Sequence, residues 1–213
     1  MSTSRHSRKA TPSQPAAGQQ DSHAGTSQIM RHGRSTMVAD IRRAIPTKYN
    51  AIFMLTAESG DMLAGNSGHG IYYHDMCYLD LLTLRLFGVV PITLLANAER
   101  GSSSTFELTN PDIDMPDGDL IHKERVSIRR DYAITDAVEM TLTLTNHGPH
   151  PLSFSMEVAA GSQFQDMFTI RGSKPGKRGT LHPPEVKRAA LVMRYDGADE
   201  HTRTTTLTFA PHP

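Results

Sequence analysis

From residue 49 onward, apolar and polar side chains alternate with a period of two. That is the pattern of strands with one face in a core and the other in water. The alternation is clearest over residues 126–158. Val126, Ile128 and Tyr132 alternate with Ser127, Arg129 and Asp131, and Val138, Met140, Leu142 and Leu144 with Glu139, Thr141, Thr143 and Thr145. Leu152, Phe154, Met156 and Val158 then resume the apolar face against Ser153, Ser155 and Glu157. The turn Asn146-His147-Gly148-Pro149-His150-Pro151 separates the last two runs and predicts a hairpin of 138–145 with 152–158. Upstream, residues 51–56 read as a buried strand closed by the Ser59-Gly60-Asp61 turn. Residues 79–87 are apolar on both faces, which predicts a central strand covered twice. After Gly88, residues 89–96 supply the next strand, and 102–109 a more polar one suited to an edge or a wet face. Residues 173–188 form a Lys/Pro/Gly-rich loop before strands at 189–195 and 203–209. Roughly ten strands with closely spaced turns and no long helical period favour an all-β antiparallel β-sandwich.

Residues 1–46 break this pattern. They are rich in Ser, Thr, Gln, Gly and Pro, with scattered bases at Arg5, Arg8, Lys9, Arg31 and Arg34. Such a stretch buries too little apolar surface to offset its ordering entropy, so a disordered leader is expected, with the folded domain at 47–213. Within the leader, residues 37–45 suit a short helix stopped by Pro46.

Composition narrows the function classes. The 213 residues carry 22 Lys+Arg and 22 Asp+Glu, a formal net charge of zero. That balance argues against a nucleic-acid or membrane-surface partner, either of which selects a lopsided charge. Cys77 is the single cysteine, which excludes an intrachain disulfide and fits a reducing compartment. No apolar run reaches membrane-spanning length and no signal-peptide core is present, so a soluble cytoplasmic protein is expected.

Candidate chemistry concentrates in two places. In the first, Gly65-Asn66-Ser67-Gly68-His69-Gly70 is a glycine loop leading through Ile71-Tyr72-Tyr73 to His74-Asp75-Met76-Cys77-Tyr78-Leu79-Asp80. Ionisable groups wedged between a glycine loop and a buried strand need a use or a partner. His69, His74, Asp75 and Cys77 lack paired-cysteine or HExxH spacing, so a satisfied polar cluster is favoured over a metal site. Cys77, leading into an apolar strand, reads as a buried small residue and not a nucleophile. In the second place, Phe164-Gln165-Asp166-Met167-Phe168-Thr169-Ile170-Arg171-Gly172, strand parity puts Asp166 on the side of Phe164, Phe168 and Ile170. A carboxylate on that face predicts a buried ion pair or a hydrogen-bonded Asp fixing strand register; Arg171 lies on the opposite parity, so Arg129 or Arg194 from another strand is an equal candidate for the partner. The acidic loop at 110–119 fails the EF-hand spacing, because position five from Asp112 is Pro116 and position twelve is Lys123.

Read together, Gly70-Ile71-Tyr72-Tyr73-His74-Asp75 and Phe164-Gln165-Asp166-Met167-Phe168-Thr169-Ile170-Arg171-Gly172 resemble the N-terminal domain of bacterial glycogen debranching enzymes of the amylo-α-1,6-glucosidase type. The resemblance runs from about residue 47 to the C-terminus and takes in the Arg130 strand and the Asn146 turn. It implies a supersandwich-like β-sandwich that precedes an (α/α)6 barrel, with the glycosidase carboxylates on the barrel. Tyr73, His74, Asp75, Asp166 and Arg171 then stand at family-motif positions, as structural or interface residues. His74 replaces a common arginine, and Gln163 a common acid.

The resemblance implies no catalytic residue, metal or cofactor in this chain, since the general acid and base of glycoside hydrolysis belong to a barrel that does not follow Pro213. Asp75, Asp80, Asp166 and Glu157 can be nominated as a carboxylate pair, but nothing in their spacing supports one. A non-catalytic accessory domain of α-glucan metabolism, docking a helical glycosidase domain, is the favoured reading. A bare docking face would then make the isolated domain self-associate. A freestanding α-glucan-binding module is the alternative, with Tyr72, Tyr73 and Tyr78 as stacking platforms in a chain without Trp. A truncated amylo-α-1,6-glucosidase is the third.

Overall fold

The computed structural model describes residues 43–210 apart from 66–67, 99–100, 116–117 and 175. The leader expectation for residues 1–42, including most of the proposed short helix, lies outside the described residues. Ile45 and Pro46, its end, instead open a strand.

The chain is an all-β antiparallel fold. In order it forms β1 (Ile45–Tyr49), β2 (Ile52–Thr56), β3 (Gly70–Tyr73), β4 (Met76–Leu79), β5 (Leu81–Leu86), β6 (Ile92–Asn97), β7 (Ser103–Thr109), β8 (Ile113–Asp114) and β9 (Leu120–Ile121). There follow β10 (Val126–Ile134), β11 (Val138–Asn146), β12 (Met156–Gly161), a one-turn helix α1 (Met167–Ile170), β13 (Thr180–Leu181), β14 (Glu185–Lys187), β15 (Ala190–Asp196) and β16 (Thr202–Thr208). The first four strands meander as one sheet, and a second runs in the order β11-β10-β7-β6. β5 pairs with β12, and β15 pairs with β13 and β14 on one side and β16 on the other. All four groups of strands contribute to one core, exemplified by Met54, Leu79, Leu84, Phe106, Ile128, Phe164 and Met193. This is the β-sandwich expected from the alternating pattern.

Three local expectations are corrected and one is narrowed. The run at 138–145 does not pair with 152–158. β11 pairs with β10 through the turn at residues 135–137, and β12 crosses to β5 (Met156 opposite Leu86, Gly161 opposite Leu81). Two prolines in the intervening turn prevent a tight hairpin, and Asn146 and Arg125 instead hold the His150 carbonyl (2.8 and 3.0 Å). The stretch 79–87 is not covered twice: β5 buries Leu82, Leu84 and Leu86 and leaves Thr83 half-buried and Arg85 exposed. Of the two settings expected for the polar strand β7, the edge and the wet face, it takes the second: it lies between β10 and β6, with Ser104, Phe106 and Leu108 facing the core and Thr105 and Glu107 on a polar outer surface. Two short strands, β13 and β14, interrupt the exposed loop at 173–188.

The acidic loop has a structural use. The buried Asn110 side chain donates to the Pro111 and His122 carbonyls (2.7 and 2.8 Å) and accepts from the Val126 amide at 2.7 Å. Asp112 accepts the Lys123 amide at 2.8 Å. Among the described residues no group of three His, Cys, Asp or Glu could hold a metal ion.

Candidate functional site

The two sequence motifs converge through backbone hydrogen bonds. β3 and β4 form a hairpin whose turn is His74-Asp75, with His74 in the left-handed region at φ 52. The segment 161–167 lies against its second strand. The Asp80 amide donates to Gly161 O (3.1 Å), Cys77 N to Gln165 O (2.9 Å) and Met167 N to Asp75 O (2.8 Å). The Asp80 carboxylate completes the seam by accepting the Gln163 amide at 2.9 Å. Burial pushes the Asp80 carboxyl upward from its usual range, opposed by that amide.

Asp166 does not occupy a strand face. It is extended (φ −73, ψ 155) and caps α1, accepting from the Thr169 amide at 2.9 Å and the Thr169 hydroxyl at 2.5 Å. The Thr169 side-chain bond above all holds its carboxyl below the usual range, as a capping carboxylate requires. Of the two expected forms, ion pair and hydrogen-bonded Asp, the carboxylate takes the second, but as a helix cap and not as a lock on strand register, because one helical turn satisfies it locally. Arg129 and Arg194 are committed elsewhere, Arg129 to Asp131 (2.8 Å) and Glu107 (3.4 Å), and Arg194 to Asp196 (3.0 Å). Asp75 and Arg171 are both exposed, and neither has an ion-pair partner among the described residues.

The three tyrosines fare differently. Tyr72 is 2% exposed and its hydroxyl donates to Gly68 O at 3.0 Å, so it presents no face for stacking. Tyr78 is half-buried and meets Phe164 edge-on at 5.9 Å. Tyr73 is 47% exposed and contacts His74 (4.3 Å) and Tyr78 (6.3 Å). With Phe164 stacked on Tyr195 at 5.8 Å, a relay of rings runs from the exposed turn into the core. Phe168, on α1, is 62% exposed.

Cys77 is fully buried, and its thiol donates to Leu79 O at 3.4 Å. Burial first, and the Asp80 charge second, push it up to about 12. It should therefore resist iodoacetamide at mildly alkaline pH in the native protein and react readily in urea. The native thiol ionises later than the unfolded one. Its contribution to stability is thus intact below the ordinary thiol value of 9.0 and is lost as pH rises toward about 12. Rapid native labelling would overturn this assignment.

Two features escaped the sequence reading. One is the buried Arg130–Asp61 pair, at 2.5 Å. Arg130 shares the parity of Val126, Ile128 and Tyr132, so a charge on the core face was visible in the alternation. The other is a cavity of about 280 Å³ beside the motif junction, bounded by the 164–169 segment, residues 177–178 and the hairpin between β15 and β16. Its walls come from segments far apart in the chain.

Over residues 47–213 the sequence matches the family described as the N-terminal domain of (some) glycogen debranching enzymes. No curated protein matches the chain.

Proposed function

We propose that this chain, which belongs to the family of N-terminal domains of glycogen debranching enzymes, is a non-catalytic domain that docks a glycosidase catalytic domain. One observation supports the reading. Val90, Ile92, Leu94 and Leu95 stand 44–61% exposed on and just before the edge strand β6. The ridge continues across the sheet boundary. Val89 and Leu86 exchange backbone hydrogen bonds (2.9 and 3.0 Å), Leu86 lies opposite Met156, and Phe87 packs on Phe154 at 6.1 Å. Phe154 and Met156 are themselves exposed. No charged residue occurs in 87–97, and a bulge between Thr93 and Leu95 is the only irregularity along the strand. An uncharged apolar edge of this kind is an aggregation hazard unless a partner covers it. A domain that stands N-terminal in a longer enzyme has such a partner in the catalytic part, helical by resemblance. The exposed Tyr73, Asp75, Phe168 and Arg171 give the motif junction a second surface for the same partner.

The test is a Leu94→Glu/Leu95→Glu double variant. The unaltered domain should self-associate with rising concentration in sedimentation velocity and bind an α-1,6-glucosidase barrel supplied in trans. The variant should be monomeric, lose that binding and keep its melting temperature, since both side chains already face solvent. A wild-type domain that stays monodisperse and ignores the barrel would count against docking. Hydrolysis of an α-1,6-linked glucan by the purified chain would overturn the non-catalytic assignment.

A further inference from the structure

We propose that the cavity beside the motif junction binds a small organic acid, a monocarboxylate carried on one apolar ring or a short apolar chain. The ligand class comes from the groups at the cavity wall and does not rest on the docking reading. At about 280 Å³ the cavity lies near the lower limit of small-molecule sites, so it suits a molecule of about one ring.

The ligand is selected by the polar groups that the wall has left uncommitted. Both carboxylates there are engaged. Asp166 accepts the Thr169 amide on one oxygen (2.9 Å) and the Thr169 hydroxyl on the other (2.5 Å). Asp199 is held by Arg203 through both oxygens (3.0 and 2.6 Å) and also accepts the His201 amide at 3.3 Å. Arg203, 17% exposed, is thereby neutralised within the wall. The remaining donors are free. Arg178 directs Nη2 to the Gln163 carbonyl and side-chain oxygens (2.9 and 3.4 Å), which anchors the side chain and leaves Nη1 and Nε without an acceptor among the described residues. Lys177 beside it has no partner among the described residues. The Tyr195 hydroxyl accepts the Gly179 amide at 2.8 Å, and its own proton meets no acceptor among the described residues. The uncommitted groups are therefore donors, and two of them carry positive charge. A carboxylate, which only accepts, complements that set with charge-assisted hydrogen bonds. The rest of the wall decides what the carboxylate is attached to. Phe164 and Tyr195, stacked at 5.8 Å, and Met76 present apolar surface that an inorganic anion would leave uncovered and an apolar body would bury. Arg178 is anchored by Gln163 and Tyr195 by the Phe164 stack, and such preorganisation lowers the entropic penalty of binding.

The experiment is a titration of the full chain with phenylacetate, followed by amide chemical shifts. Saturable shifts are expected at Thr169, Gly179 and residues 197–199, and none at Tyr73 or along β6. Phenylacetamide has the same ring and size without the charge, and should bind at least about tenfold more weakly. Arg178→Gln removes a cationic donor and should weaken phenylacetate binding about tenfold. Ala198→Trp, at an exposed position on the rim, should block it. Both variants should keep the wild-type melting temperature and the barrel docking that Leu94→Glu/Leu95→Glu abolishes, so failure of one proposal is distinguishable from failure of the other. The inference falls if no saturable shift appears, if the shifts map elsewhere, if phenylacetamide binds as tightly as phenylacetate, if both variants bind like wild type, or if inorganic phosphate binds the same amides as tightly as the acid.

Discussion

Asp61→Ala should lower the free energy of unfolding by about 3–5 kcal/mol, because it leaves a buried guanidinium without its counter-ion. Arg130 is 1% exposed and its Nη1 lies 2.5 Å from Asp61 Oδ1. The same Asp61 oxygen accepts the Leu84 amide at 3.2 Å, so one carboxylate ties the turn after β2 to both β5 and β10. The rest of the guanidinium is also engaged, by Met140 Sδ at 3.2 Å, Ser59 O at 3.4 Å and the Tyr132 ring at 5.1 Å. Tyr132 in turn donates to Gly60 O at 2.9 Å, and Gly60 takes a φ of 79 with Phe106 pressed against it. The turn is therefore clamped from one strand, β10, at two successive inward positions. Urea unfolding of Asp61→Ala, Arg130→Met and the double variant separates the pair from its surroundings. The double variant should be clearly more stable than the sum of the single effects allows, since it no longer strands a charge. Additivity within about 0.5 kcal/mol would show that the two groups are not coupled.

Phe164→Ala is the second large effect, expected at about 3–5 kcal/mol from lost transfer energy and the cavity left behind. The ring is 2% exposed and lies between Tyr78 and Tyr195, so it joins the motif junction to the sheet of β15. Its backbone is in the left-handed region at φ 46, an uncommon place for a bulky residue, and is held there by a bond from its amide to Ser162 Oγ at 3.2 Å. Strain of that kind costs on the order of 1–3 kcal/mol and is tolerated because the packed ring offsets it. Alanine keeps the strain and loses the ring, whereas glycine loses the ring and releases the strain. Phe164→Gly should therefore be at least as stable as Phe164→Ala, the reverse of the usual order in extended chain. Thermal unfolding of the two variants decides it, and a glycine variant clearly weaker than alanine would mean that the conformation carries no strain.

How much of the site was legible depends on the range of the interaction. The resemblance named the family that matches over residues 47–213, and Cys77 as a buried residue followed from the apolar strand beyond it. Parity failed at Asp166, because parity assumes an extended chain and one helical turn gave the carboxylate a local partner in Thr169. Tyr72 and Tyr73 are neighbours with the same side-chain chemistry, yet alternation sends one ring into the core and the other outward. Composition could not tell them apart, and only burial removes Tyr72 as a platform.

Side-chain alternation and motif residues are local properties, so the class of fold, the inward and outward faces of β10 and β11, and the family were legible in the sequence alone. Which strand lies beside which was decided only in three dimensions. Backbone hydrogen bonds are the same whatever the side chain, so the pattern in 138–158 describes two amphipathic strands without saying that one joins β10 and the other β5. The Arg130–Asp61 pair and the cavity beside Phe164 have the same origin: each joins residues distant in the chain, and their geometry exists only once the sheets have packed around a shared core.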